Sequence, residues 1–111
     1  MLEAYQYKCA ITDFDVESAL EAAHIIPYIE TGNNHPSNGI LLRADLHTLF
    51  DLNLIAIHPE TLQILLSPDL KMSKYSELHG KVLRTPINSY PSPNPESLQQ
   101  RFQQCSWHKE I

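Results

Sequence analysis

The chain is poor in the residues that mark several common functions. It has only two cysteines, Cys9 and Cys105, far apart and in no CxxC pair, so neither a disulfide framework nor a cysteine zinc site is supported. Both are expected to be reduced, and no structural zinc is expected. Cations are scarce too: eight Lys and Arg against thirteen Asp and Glu leave a net charge of −5. They are scattered singly along the sequence, which argues against a basic face that grips nucleic acid by neutralising phosphates. No apolar run approaches the roughly 18 residues of a membrane span. The first residues, "MLEAYQYK", lack the apolar core of a signal peptide. A cytoplasmic protein without a membrane partner is the expectation. Internal repeats and low-complexity tracts are absent as well.

What remains is an ordinary globular composition, 42% hydrophobic and 19% charged, over 111 residues. That length suits one domain with one modest core. "YKCAIT" (7–12) reads as a short strand. "VESALEAAHIIPY" is ambiguous: its first half favours helix, while "AHIIPY" turns β-branched and ends at Pro27. "ETGNNHPSNG" carries every turn signal and reads as a loop. A helix is expected over about 42–52, where Leu42, Leu46, Leu49 and Phe50 share one arc. Arg43, His47 and Asp51, at i, i+4 and i+8, form a stripe along the edge of that arc. "LIAIHPETLQILLS" (54–67) reads as a hairpin turning at His58-Pro59-Glu60-Thr61. A short helix around "KYSEL" and an extended piece follow. "TPINSYPSPNP" has four prolines and reads as a linker before a last helix, with Asn94 as N-cap and Pro95 in its first turn. Leu98, Phe102 and Cys105 would dock that helix. The expected organisation is a domain over 1–85, a proline-rich linker over 86–95 and a docked C-terminal helix over 96–111.

The polar residues beside these apolar segments suit phosphodiester hydrolysis. That reaction needs an activated water, for which imidazole is an apt base, and neutralisation of developing charge, for which a divalent metal is an apt acid. His47 and Asp51, one helical turn apart, have β-carbons about 5–6 Å apart and can converge on one ion. A histidine–carboxylate pair accepts Mg²⁺, Mn²⁺, Ni²⁺ or Zn²⁺. His24, on a strand covering the helix, would supply the base.

His24 in "EAAHIIP", Asn38 in "SNGILL" and His47 in "RADLHTLFD" resemble, in order and spacing, the His-Asn-His signature of HNH endonucleases. The resemblance extends over about 7–70 and is to the bacterial restriction-type branch. It implies an α+β domain built on the ββα-metal finger, a hairpin and a helix pinching one divalent ion, here with an additional β-hairpin and a C-terminal helix. It implies metal-dependent DNA cleavage with His24 as general base and Asn38 tying the loop to the hairpin. His47 would be a metal ligand and Asp51 a second one from the helix, while Arg43 is a candidate phosphate contact. One departure stands out: Ala23 occupies the position before the base histidine where many members carry a metal ligand. Glu21 shares a strand face with Ala23 and is the candidate replacement. The partner implied is DNA, bound weakly and mostly through its backbone, with recognition supplied by an upstream domain of a longer protein.

Each residue also has a plainer reading. A lone histidine in an apolar strand is most often a hydrogen-bonded core residue, Asn before Gly is most often a turn residue, and His47 and Asp51 can simply pair on a helix edge. A catalytically silent module that binds DNA or a protein, and a purely structural domain, therefore stand beside the nuclease. No role is assigned to His58, His79 or His108, and Trp107 is read as an anchor for the last helix. His35 lies in the loop near the site.

Overall fold

The computed structural model describes residues 1–27, 32 and 35–110, so the loop expected at 30–39 lies partly outside the described residues. The first hairpin pairs β1 (Leu20–His24) antiparallel with β2 (Gly39–Arg43), in a register running from Leu20 opposite Arg43 to His24 opposite Gly39. Helix α1 (Ala44–Asp51) follows β2 directly. The second hairpin pairs β3 (Ile55–Ile57) with β4 (Ile64–Leu66), Ile55 opposite Leu66. Helix α2 (Pro95–Gln104) closes the fold. This is the expected α+β arrangement of two hairpins and two helices.

Ambiguity at 16–27 resolves as a 3-10 turn, Glu17–Ala19, and a strand, Leu20–His24. The strand thus sits in the helix-forming half and Ile25 and Ile26 lie past its end, while Tyr28 lies outside the described residues. The helix formers Leu20, Glu21, Ala22 and Ala23 become extended because Ile40, Leu41 and Leu42 opposite them are fully buried and offer a ladder. Tertiary pairing outweighs intrinsic propensity here. The same ladder shortens the expected helix. Leu42 pairs with Glu21 and Arg43 with Leu20, so the helix starts at Ala44 rather than near 42. The stripe through Arg43, His47 and Asp51 thereby loses Arg43.

The strand expected at 7–12 does not form. Gln6, Tyr7 and Asp13 take left-handed backbone conformations, which interrupt an extended run. The Cys9 amide donates to Phe14 O at 2.9 Å and the Ala10 amide to Leu41 O at 2.8 Å, so this segment turns and touches the edge of β2 once.

The second hairpin forms where its sequence places it. Ile55, Ile57, Ile64 and Leu66 join the main core with Leu46 and Phe50 of α1, while Ala56 and Leu65 face a smaller cluster with Cys105, Phe102 and Trp107. That is strand alternation with both faces covered. Asn94 caps α2 as expected, accepting from the Glu96 and Ser97 amides at 2.8 and 3.2 Å. The proline-rich segment before it is tied to the body: the Ile87 amide donates to Ala4 O and the Asn94 amide to Ser37 O, each at 2.9 Å. Cys9 and Cys105 are free and buried, and burial pushes the Cys105 thiol above its ordinary value. Among the described residues no helix is long and apolar enough to cross a membrane.

Candidate active site at the hairpin–helix seam

Strand alternation sorts β1 into two faces. Glu21 and Ala23 face α1, and Leu20, Ala22 and His24 face the other side, where Met1 and Leu2 join Leu20, Ala22 and Leu41 around a surface depression. Ala23 is fully buried and brings no donor. Glu21 is different, because at the outer end of the same face its carboxylate reaches the helix.

There it meets His47. The His47 Nδ1 lies 2.7 Å from Glu21 Oε1, and the Nε2 lies 3.2 Å from Asp51 Oδ2. One imidazole therefore bridges a carboxylate of the strand and a carboxylate of its own helix. A neutral imidazole carries one N–H, so it can donate to only one of these neighbours. With the proton on Nδ1 toward Glu21, the Nε2 lone pair faces Asp51. The Asp51 and Glu21 side chains are 56% and 51% exposed, so both are open to solvent.

The donor chemistry fits a divalent ion on the Nε2 side. His47 Nε2 and Asp51 Oδ2, 3.2 Å apart, are the residues that would hold such an ion. Glu21, on the far nitrogen, is placed like the carboxylates that orient metal-bound imidazoles. Among the described residues no group of three or more His, Cys, Asp or Glu side chains is arranged to hold a metal ion. Glu21, His47 and Asp51 are thus brought together around one ring rather than around one point.

Asn38 is built into the frame. It is 0% exposed, its Nδ2 donates to Ile26 O and its Oδ1 accepts from the Ile26 amide, both at 2.9 Å. Its own carbonyl accepts from the Ile25 amide at 2.8 Å. Three hydrogen bonds thus bind the residue before β2 to the two residues after His24. His24 is half-buried and shares a cavity of about 220 Å³ with Met1, His35, Pro36 and Gly39. His35 holds the turn leading to Asn38, its Nδ1 accepting from the Ser37 amide at 3.1 Å.

Arg43 is turned to a neighbour. Its Nε and Nη2 donate to the two oxygens of Asp45 at 2.6 and 3.0 Å, and its guanidinium lies 5.5 Å from the Phe14 ring centre. The hydrogen bonds from Arg43 hold the Asp45 carboxyl below its ordinary value, aided by the Tyr75 hydroxyl donating at 2.8 Å. Two residues outside the expected site set also take part, Tyr75, which carries no motif, and Arg101, whose buried guanidinium donates to Phe50 O at 2.6 Å. The signal for Arg101 was available: it is a cation inside the inward stripe Leu98, Arg101, Phe102, Cys105 of α2.

Residues 9–58 match the model of a family described as HNH endonuclease. No curated protein matches the chain. Among solved structures, a chain described as a modification-dependent TagI restriction endonuclease superposes with a TM-score of 0.67 at 18% identity, over 95% of this chain and 35% of its own length. The likeness at that identity concerns the fold, and the present chain spans about a third of that neighbour.

Proposed function

Because residues 9–58 match the HNH endonuclease family model, we propose that this domain is a nuclease that hydrolyses DNA phosphodiester bonds in a metal-dependent reaction, with His24 as general base. The observation that carries the reading is the His47 imidazole set between Glu21 and Asp51. His47 Nε2 and Asp51 are the residues that hold the ion, and Glu21 fixes the ring from Nδ1. A divalent ion there supplies Lewis-acid neutralisation of charge on the phosphate and the leaving oxygen. Mg²⁺, Mn²⁺, Ni²⁺ and Zn²⁺ all accept this nitrogen and oxygen pair.

His24 takes the proton of the attacking water on its imidazole. It stands at the last position of β1, and Asn38 holds the two residues that follow. Asn38 acts through that backbone rather than on substrate. Arg43 contributes its remaining Nη1 donor to a phosphate oxygen beside the start of α1. With a net charge of −5, the domain grips DNA weakly and through the backbone. Sequence or modification recognition then resides in other parts of a longer protein, as the larger size of the restriction-enzyme neighbour suggests.

Nicking of supercoiled plasmid at low salt, with and without Mg²⁺, Mn²⁺ or Ni²⁺, tests the reading. Metal-dependent nicking that is lost in folded His24→Ala supports it. A catalytically silent binding module is the second reading, favoured by the fully buried Ala23 where a ligand is usual. Metal binding without nicking under any of these ions would select it.

A further inference from the structure

Among the described residues, Arg101 is the one charged side chain in the buried interior, 5% exposed. A guanidinium taken out of water is costly unless its donors are met. No carboxylate among the described residues lies within ion-pairing distance of it. Its partners are two backbone carbonyls far apart in sequence. Nη2 donates to Phe50 O at 2.6 Å and Nη1 to Ile25 O at 3.5 Å. The plane also lies over the Phe50 ring, 4.7 Å from its centre, and Nε has no hydrogen-bond partner among the described residues.

Those two carbonyls are placed unusually. Ile25 is the residue after His24, and Phe50 is the residue before Asp51. Phe50 O belongs to the last turn of α1, where it also accepts from the Asn53 amide at 3.0 Å and the negative end of the helix dipole favours a cation. A leucine or methionine would fill this stripe position with no desolvation cost, and replacing buried charges by apolar residues is often neutral or stabilising. A lysine cannot span two carbonyls, whereas the planar fork of arginine can.

We propose that Arg101 is a positioning residue of the nuclease site. One fork fixes the backbone beside His24 and the backbone beside Asp51, and so sets the separation of base and metal ligand. The inference rests on the roles proposed above for those two residues. It also extends the working unit to α2, outside the 9–58 segment that matches the family. Asn38 and Arg101 then share the task, Asn38 holding Ile26 and the Ile25 amide and Arg101 holding the Ile25 carbonyl.

The test compares Arg101→Lys, Arg101→Met and Leu98→Ala in the full chain. Leu98→Ala loosens the same helix without touching either carbonyl. The amide ¹⁵N shifts of Ile26 and Asp51 report the carbonyls of Ile25 and Phe50, and both should move in Arg101→Met, one of them in Arg101→Lys, and far less in Leu98→Ala. Because small displacements of reacting groups cost large factors in rate, kcat for Mn²⁺-supported plasmid nicking should fall about 10- to 100-fold in Arg101→Met. KM should stay within about threefold, since ground-state binding is unchanged. Leu98→Ala should keep kcat within about threefold despite an equal or larger drop in Tm. Unmoved amides in Arg101→Met would overturn the clamp. Moved amides with a kcat that merely follows Tm, as in Leu98→Ala, would overturn the positioning role. If Arg101→Met does not fold, Arg101→Lys carries both readouts. A folded wild type that neither nicks DNA nor binds Ni²⁺ sinks the nuclease reading itself, and the positioning role with it, while the amide shifts still decide whether the clamp exists.

Discussion

The two hairpins of this domain are built to opposite ends. Every strand residue of the second, Ile55–Ile57 and Ile64–Leu66, is buried, with one face on the main core and the other under α2. The polar group at its turn serves the turn itself: His58 Nδ1 accepts from the Glu60 and Thr61 amides at 3.1 and 3.2 Å. The first hairpin keeps an open edge. Its β1 exposes Glu21 and Ala22 and ends in the half-buried His24, while β2 behind it is buried through Gly39, Ile40, Leu41 and Leu42. One hairpin supplies stability, and the other spends its solvent edge on ionisable groups. A small domain with a single core can carry a reactive seam only if another element makes up the lost burial.

Substitutions that break this contrast should follow its logic. Ile64→Ala, in the closed hairpin, should cost about 2–5 kcal/mol in denaturant unfolding through lost burial and a cavity. Its metal affinity should be unchanged while the protein is folded. Asn38→Ala, at the junction of frame and site, leaves the Ile26 amide and carbonyl without partners. It should cost about 2–3 kcal/mol and also slow nicking in the folded fraction. Trp107→Phe removes the 2.7 Å hydrogen bond to Asn53 O and should cost about 1 kcal/mol with no effect on nicking. The smallest effect belongs to Asp45→Asn, about 0.5 kcal/mol, since its pairing with Arg43 is partly exposed. The Asp45 carboxyl is lowered by the Arg43 hydrogen bonds. Its contribution is therefore full above the ordinary carboxylate range and lost as pH falls through the lowered value. Wild type and Asp45→Asn should converge in Tm at the acid end of a pH series and separate toward neutrality.

The contrast also explains what could be read in advance. The second hairpin was legible because its apolar runs flank a His-Pro turn, and local pattern and tertiary burial agree. The cap of α2 was legible for the same reason, with Asn94 and Pro95 in adjacent positions. The first hairpin was legible through the family resemblance rather than from local pattern, since helix formers from Leu20 to Ala23 are drawn into a strand by partners 17 or more residues away. Misplacing the start of α1 by two residues put Arg43 on a helical stripe, when its place at the end of β2 directs it to Asp45. His47 and Asp51 survived that error because their i, i+4 relation lies wholly inside the helix. The neighbour on the other side of His47, Glu21, was found by the two-residue period of the strand. What the sequence could not convey was which nitrogen each carboxylate takes.

The central proposal is that His47 and Asp51 of α1, beside the open hairpin, take the metal ion. Calorimetric titration of Ni²⁺ into the wild type, His47→Ala and Asp51→Asn tests it most directly, because Ni²⁺ binds such sites more tightly than Mn²⁺. The account predicts one ion per folded wild-type chain and loss of that binding in both variants, with their stability changed by no more than about 1 kcal/mol. Undiminished Ni²⁺ binding in folded His47→Ala and Asp51→Asn would contradict it and move the metal elsewhere on the chain.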